Sequence, residues 1–116
     1  MGQENAESSG TRQLSGVGGQ MDFLEGAYRS MGGKGFICIN SSRVTKDGER
    51  KSNILAAIPG GSTISAPRTM IQYVATEYGI ASLSGKTLRE RAEAMASIAH
   101  PDFREELIKY ARETFK

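Results

Sequence analysis

Three glycines in four positions carry the clearest chemical signal in the sequence. Ser15-Gly16-Val17-Gly18-Gly19 runs directly into Gln20, where helical apolar spacing begins. Unblocked backbone N–H groups in such a loop, at the start of a helix, suit a phosphate or an oxyanion. Gly16, Gly18, Gly19 and Gln20 are therefore candidate anion-binding residues. The loop lacks the Gly-Lys-Ser/Thr ending of a P-loop and the full spacing of a dinucleotide fingerprint, so the pattern alone leaves a flexible turn open. Lys34 follows Gly32-Gly33; it is either within reach of a phosphate or a solvated charge.

The other reactive side chains read as structural. His100 precedes Pro101 between two helices and suits a cap or a packing role, because no Ser or Cys partner for a general base is evident. Glu77 follows an apolar strand, where a carboxylate satisfied by local backbone or an Arg is expected. Cys38 lies inside an apolar strand and is expected to be buried and inert. With one Cys and one His, a disulfide framework and a Cys/His zinc site are both excluded, and no metal is expected.

Composition narrows the class further. Fifteen basic and 13 acidic residues are interspersed, for a net charge of +2, and the segment Lys46–Lys51 reads as a solvated turn; no nucleic-acid partner follows from such a balance. No apolar run is long enough to cross a bilayer, and Met1-Gly2-Gln3-Glu4-Asn5 has no apolar core like that of a signal peptide. Ala6 stands where a myristoylation motif prefers Ser or Thr. No membrane association and a cytoplasmic, reducing setting are the expectation.

The elements that must position these residues follow from periodicity. Gln3 to Ser8 is an edge strand or a frayed terminus. Leu24, Tyr28 and Met31 predict a helix over Gln20–Met31, ended by Gly32-Gly33. Strands are predicted over Gly35–Asn40, Ser52–Ile58 (buried), Ser62–Ser65 and Ile71–Thr76, with Asp47-Gly48 as a tight hairpin connection. Thr87 and Glu90 form a capping box before an apolar face of Leu88, Ala92, Met95 and Ala99, and Pro101 opens a last helix faced by Phe103, Leu107, Ala111 and Phe115. The order predicts an α/β or α+β domain, with a parallel strand pair across the first helix.

Four blocks of this sequence resemble the acetyl-CoA hydrolase/transferase family. Ser15-Gly16-Val17-Gly18-Gly19-Gln20-Met21-Asp22-Phe23 is similar to its G-x-G-G-Q-x-D-F motif. Thr76-Glu77-Tyr78-Gly79-Ile80-Ala81 with Leu83-Ser84-Gly85-Lys86, then Arg89-Glu90-Arg91-Ala92, then Ile98-Ala99-His100-Pro101-Asp102-Phe103-Arg104 follow in the family's order. The blocks cover nearly the whole chain, and within the family the likeness is to the 4-hydroxybutyrate and butyryl-CoA:acetate CoA-transferases.

The resemblance implies an α/β fold: the C-terminal part of a CoA-transferase-type domain, with a mixed sheet, flanking helices and two C-terminal helices. Family members are several times longer, so residues 1–116 look like a C-terminal fragment whose partner is the upstream half of the same enzyme, in a homo-oligomer. The substrates implied are an acyl-CoA and a short-chain carboxylate, with coenzyme A carried as the thioester and no metal. Catalysis in the family passes through a glutamate carboxylate and a glutamyl-CoA thioester. That glutamate lies upstream, and Glu77 does not match its motif. Gly16 matches a glycine whose N–H stabilises the thioester oxyanion, a donor worth about 3 kcal/mol of barrier. The matching CoA-binding positions are Gly16, Gly18, Gly19, Gln20 and Lys34. Asn53 replaces a usual Arg, Ala56 a usual Pro, and Thr69-Met70 a more polar pair, which leaves the acyl preference open.

Overall fold

The computed structural model describes residues 1–116. A short hairpin, β1 (Ser8–Ser9) and β2 (Arg12–Gln13), leads through the glycine loop to α1 (Gln20–Arg29). Next come β3 (Phe36–Cys38), the antiparallel hairpin β4 (Ser42–Val44) and β5 (Arg50–Ser52), and the antiparallel hairpin β6 (Tyr73–Thr76) and β7 (Gly79–Ser82). The chain finishes with α2 (Leu88–Ser97) and α3 (Pro101–Thr114). The central sheet has the order β3-β6-β7, parallel between β3 and β6 and antiparallel between β6 and β7. This is a mixed sheet with helices, an α/β arrangement.

The core lies between that sheet and the helices. Leu24, Ile71, Val74, Ala81, Leu83, Ile98 and Ala99 are buried together, with Met95 and Leu107 packed against them. In register, Ile37 faces Val74 and Val74 faces Ala81, so one sheet face presents an unbroken apolar row. Both terminal helices start as predicted. The Thr87 hydroxyl accepts from Glu90 N, and the Glu90 carboxylate accepts from Thr87 N at 2.7 Å. His100 caps α3 through its ring nitrogen, with Pro101 in the first turn.

Several predicted elements are corrected. The first helix ends at Arg29, two residues early. Ser30 is extended there, and a Cβ at Gly33 would collide with Ser30 Oγ and Ala27 O, so the tight exit needs glycine. Of Ser52–Ile58 only Ser52 is in a strand and only Ile54 is buried. Ser52 Oγ donates to Ile54 O at 2.6 Å and accepts from Ile54 N at 3.2 Å, a local turn that competes with ladder pairing. Ser62–Ser65 forms no strand: Ser62 N donates back to Pro59 O, and Thr63 N to Ser8 Oγ. Gln3–Ser8 contributes one bridge, Glu4 to Ala66, and the beginning of β1. The strand β7 was missed, because Glu77-Tyr78 turns the chain back without a strong turn dipeptide.

The parallel pair exists, but α1 is not its crossover. The connection from β3 to β6 carries the β4–β5 hairpin, because the segments before α1 pair with each other or with Ala66 and never enter the central sheet. Cys38 is exposed. With Phe36 it alternates onto the face of β3 opposite Ile37, which carries no covering layer.

Arg91 of α2 is only 8% exposed despite its charge. Its guanidinium donates to three main-chain carbonyls, Met1 O (2.9 Å), Leu83 O (2.7 Å) and Arg68 O (2.7 Å). It thereby ties the N-terminal segment, the 67–70 turn and the end of β7 to α2. Gly2 sits against this clamp with φ +89°, and a Cβ there would lie 2.6 Å from Leu83 Cδ1.

Candidate functional site: the glycine loop and the start of α1

The glycine loop leaves the β1–β2 hairpin from a fixed base. Leu14 N and Ser15 N both donate to Glu7 O, at 2.7 and 3.2 Å. The Gln13 amide donates to Ser15 O at 2.6 Å and to Glu7 Oε1 at 3.2 Å. Beyond that anchor the chain opens to solvent. Nothing lies within 4 Å of where a Cβ would stand at Gly16 or Gly18. Gly19 occupies the N-cap with φ −79° and ψ 11°, and no side chain caps the helix. The first-turn amides of α1 therefore have no intrahelical acceptor. Such amides, at the positive end of the helix dipole, suit an oxyanion or phosphate, although Asp22 in the same turn already places a carboxylate there.

Gln20 is the one predicted residue whose side chain is engaged. Its Nε2 donates to Glu4 Oε2 at 2.9 Å. Burial pushes the Glu4 carboxyl above the usual range, the Gln20 hydrogen bond pulls it down, and the negative Glu7 nearby pushes it up again. Glu4 was missed by sequence reasoning, since a carboxylate in the polar run Gln3-Glu4-Asn5 looks solvated. Lys34 is exposed in the turn that follows α1. It stands at the opposite end of the helix from the glycine loop, about 15 Å away along a ten-residue axis. Gly16, Gly18, Gly19 and Gln20 are brought together; Lys34 is not beside them.

A trough of about 750 Å³ opens on the apolar face of the sheet. Ile37, Ile39, Ile71 and Val74 form its floor side, Met95 of α2 adds to it, and Glu4 and Arg43 are its charged lining residues. One of the departures, Asn53, has a structural role at its edge: its Oδ1 accepts from Arg43 Nη1 at 2.5 Å, and its amide donates to Asn40 O at 2.9 Å. Glu77 accepts from Ser41 N (2.9 Å) and Ser41 Oγ (2.5 Å). Those bonds hold its carboxyl below the usual range; the role is structural, but the partner is the distant Ser41 rather than the local backbone or Arg expected. No three or more His, Cys, Asp or Glu are gathered closely enough to hold a metal ion. No helix is long and apolar enough to cross a membrane.

Comparison with known proteins decides the family. The profile of the acetyl-CoA hydrolase/transferase C-terminal domain matches residues 1–111. The chain belongs to the acetyl-CoA hydrolase/transferase family. Among curated members it is 50% identical over 110 residues to the butyryl-CoA:acetate CoA-transferase of Anaerostipes caccae, covering 95% of this chain and 25% of that protein. It is 47% identical over 115 residues to the 4-hydroxybutyrate coenzyme A transferase of Clostridium kluyveri, covering 99% of this chain and 26% of that one. The crystal structure of RipA from Yersinia pestis superposes with a TM-score of 0.81 at 38% identity, over 97% of this chain and 24% of RipA. This acetyl-CoA hydrolase/transferase domain thus spans about a quarter of the length of the relatives it matches.

Proposed function

We propose that this chain is the C-terminal part of an acyl-CoA:carboxylate CoA-transferase of the butyrate, 4-hydroxybutyrate and acetate type. The observation that carries the reading is the open, uncapped start of α1 behind Gly16, Gly18 and Gly19, on a chain half identical to a butyryl-CoA:acetate CoA-transferase. In this reading the glycine loop lines the thioester site, and the Gly16 N–H faces the oxyanion that develops at the thioester carbonyl. Gly18, Gly19 and Gln20 complete the cradle. Lys34, at the far end of α1, meets a remote phosphate of coenzyme A.

The nucleophilic glutamate comes from the upstream half of the same enzyme, which also completes the substrate site. The chain by itself is therefore inactive. Coenzyme A enters as acyl-CoA, the acceptor is a short-chain carboxylate, and the assembled enzyme is a cytoplasmic homo-oligomer.

A thioester hydrolase is the second reading, because the family to which the chain belongs includes acetyl-CoA hydrolases as well as transferases. Water then replaces the acceptor. One experiment separates the readings. The upstream half is supplied, butyryl-CoA is added with and without acetate, and acetyl-CoA and free thiol are followed. Acetate-dependent acetyl-CoA formation supports transfer. Thiol release without acetate supports hydrolysis. Neither product would leave only a CoA- or nucleotide-binding module.

A further inference from the structure

Glu4 touches both the trough and the start of α1. Its backbone is held on both sides. Its amide donates to Ala66 O at 3.0 Å, and its carbonyl accepts from Ser65 N at 2.8 Å and Ala66 N at 3.2 Å. Ala66 is fully buried. The carboxylate is thus presented from a fixed chain rather than from a free tail, and it takes one Gln20 Nε2–H at 2.9 Å. An ionised carboxylate can only accept, whereas a side-chain amide has two donors at one end and an acceptor at the other. The bond therefore decides which way round the Gln20 amide lies. The nitrogen is turned to Glu4, and Oε1 with one N–H remains for another partner. A protonated carboxyl loses that control, because it can donate to Oε1 instead.

The geometry points to Glu4 as a positioning residue: it orients the Gln20 amide so that one acceptor and one donor face an amide group of the acyl-CoA pantetheine arm. This rests on the proposed role of the glycine loop and Gln20 in holding the CoA ester. An amide on the ligand offers one N–H and one C=O, the complement of what Gln20 has left. The pair is also sensitive to pH. Glu7 from its own segment is the charged group that acts on Glu4, while Arg43 of β4 and Met1 line the same trough and Asp22 lies in the first turn of α1 with Gln20. Burial and Glu7 favour protonated Glu4, so orientation is lost on acidification before an ordinary glutamate would titrate.

Two measurements test this. In the enzyme reconstituted with its upstream half, the Gln20 side-chain amide resonances are followed by nitrogen–proton correlation spectra from pH 7 to pH 4, in the parent and in Glu4→Gln. The parent resonances should move with a midpoint above the ordinary glutamate range, and those of Glu4→Gln should not. In the enzyme reconstituted with its upstream half, Glu4→Gln should raise KM for butyryl-CoA about 3- to 10-fold, the worth of one hydrogen bond, with kcat little changed. The same change in a Gln20→Ala background should have no further effect. A pH-independent Gln20 amide, or additive effects of the two substitutions, would overturn the assignment. If Gln20→Ala is silent while Gly16→Val abolishes transfer, only this inference fails. If both are silent, the glycine-loop reading fails with it.

Discussion

At the scale of single residues, Gly16 and Glu77 make opposite kinds of demand. Gly16 has no neighbour within 4 Å of its Cβ position, and its φ is not in the left-handed region. Folding therefore tolerates a side chain there, and any damage from Gly16→Val belongs to chemistry. In the reconstituted enzyme the variant should lower kcat by about 10²–10³, the usual effect of removing one oxyanion donor, with less change in CoA affinity. Unchanged circular dichroism with parent turnover would remove Gly16 from the site. Glu77, by contrast, supports structure. Its folded carboxyl titrates below its unfolded value because Ser41 bonds the charged form. The sign follows: its contribution is complete above the unfolded pKa and is lost as pH falls through the folded one. Ser41→Ala should therefore lower stability at neutral pH and flatten its decline on acidification below about pH 4.5. Urea titrations at pH 7 and pH 3 check this. Equal pH dependence in both proteins would contradict it.

At the scale of elements, α2 is held by its cap and by Arg91 rather than by a wide apolar face. Leu88 is 40% exposed, while Arg91 is buried among three carbonyls. Thr87→Ala removes one side of the capping box and should cost about 1 kcal/mol, a fall in melting temperature of about 4–8 °C for a domain near this size. Arg91→Met should cost more, because three carbonyls on separate segments lose their donors together. A thermal melt in which Arg91→Met matches the parent would show that the clamp is not needed.

At the scale of the whole molecule, apolar surface remains uncovered. Phe36 on the outer face of β3, Phe23 at 80% exposure on α1, and Met31 after it are all solvent-facing. Exposed large apolar side chains favour association, and β3 offers a free edge. The isolated chain should therefore self-associate or unfold at modest temperature. Sedimentation showing a compact monomer at high concentration, with a high melting temperature, would count against this. The same chain incubated with butyryl-CoA and acetate should form no acetyl-CoA. Turnover at the rate of a full-length transferase would contradict the proposal that the nucleophilic glutamate comes from an upstream half.

What was legible in the sequence was local. The starts of α1, α2 and α3 could be read because caps and first-turn residues act within a few positions: Thr87 with Glu90, His100 with Pro101. The family was legible because its motifs are contiguous. The strands were read poorly, because pairing is a contact between distant residues. Ser52–Ile58 has the apolar content of a strand, yet a serine hydroxyl two residues from Ile54 turns it aside. Residues 79–82 have weak strand content, yet Val74 and Ala75 supply the partner they need. The inversions of burial have the same origin. Cys38 looked buried because its neighbours are apolar, but only a covering layer buries a strand face, and none lies over it. The burial of Arg91 and the engagement of Glu4 have no local signature, since both stand in polar stretches of the chain. Only the folded chain brings Leu83 O, Arg68 O and Met1 O to one guanidinium, and the Gln20 amide to one carboxylate. Capping and motif chemistry are short-range in the chain; burial and hydrogen-bond satisfaction are short-range only in space.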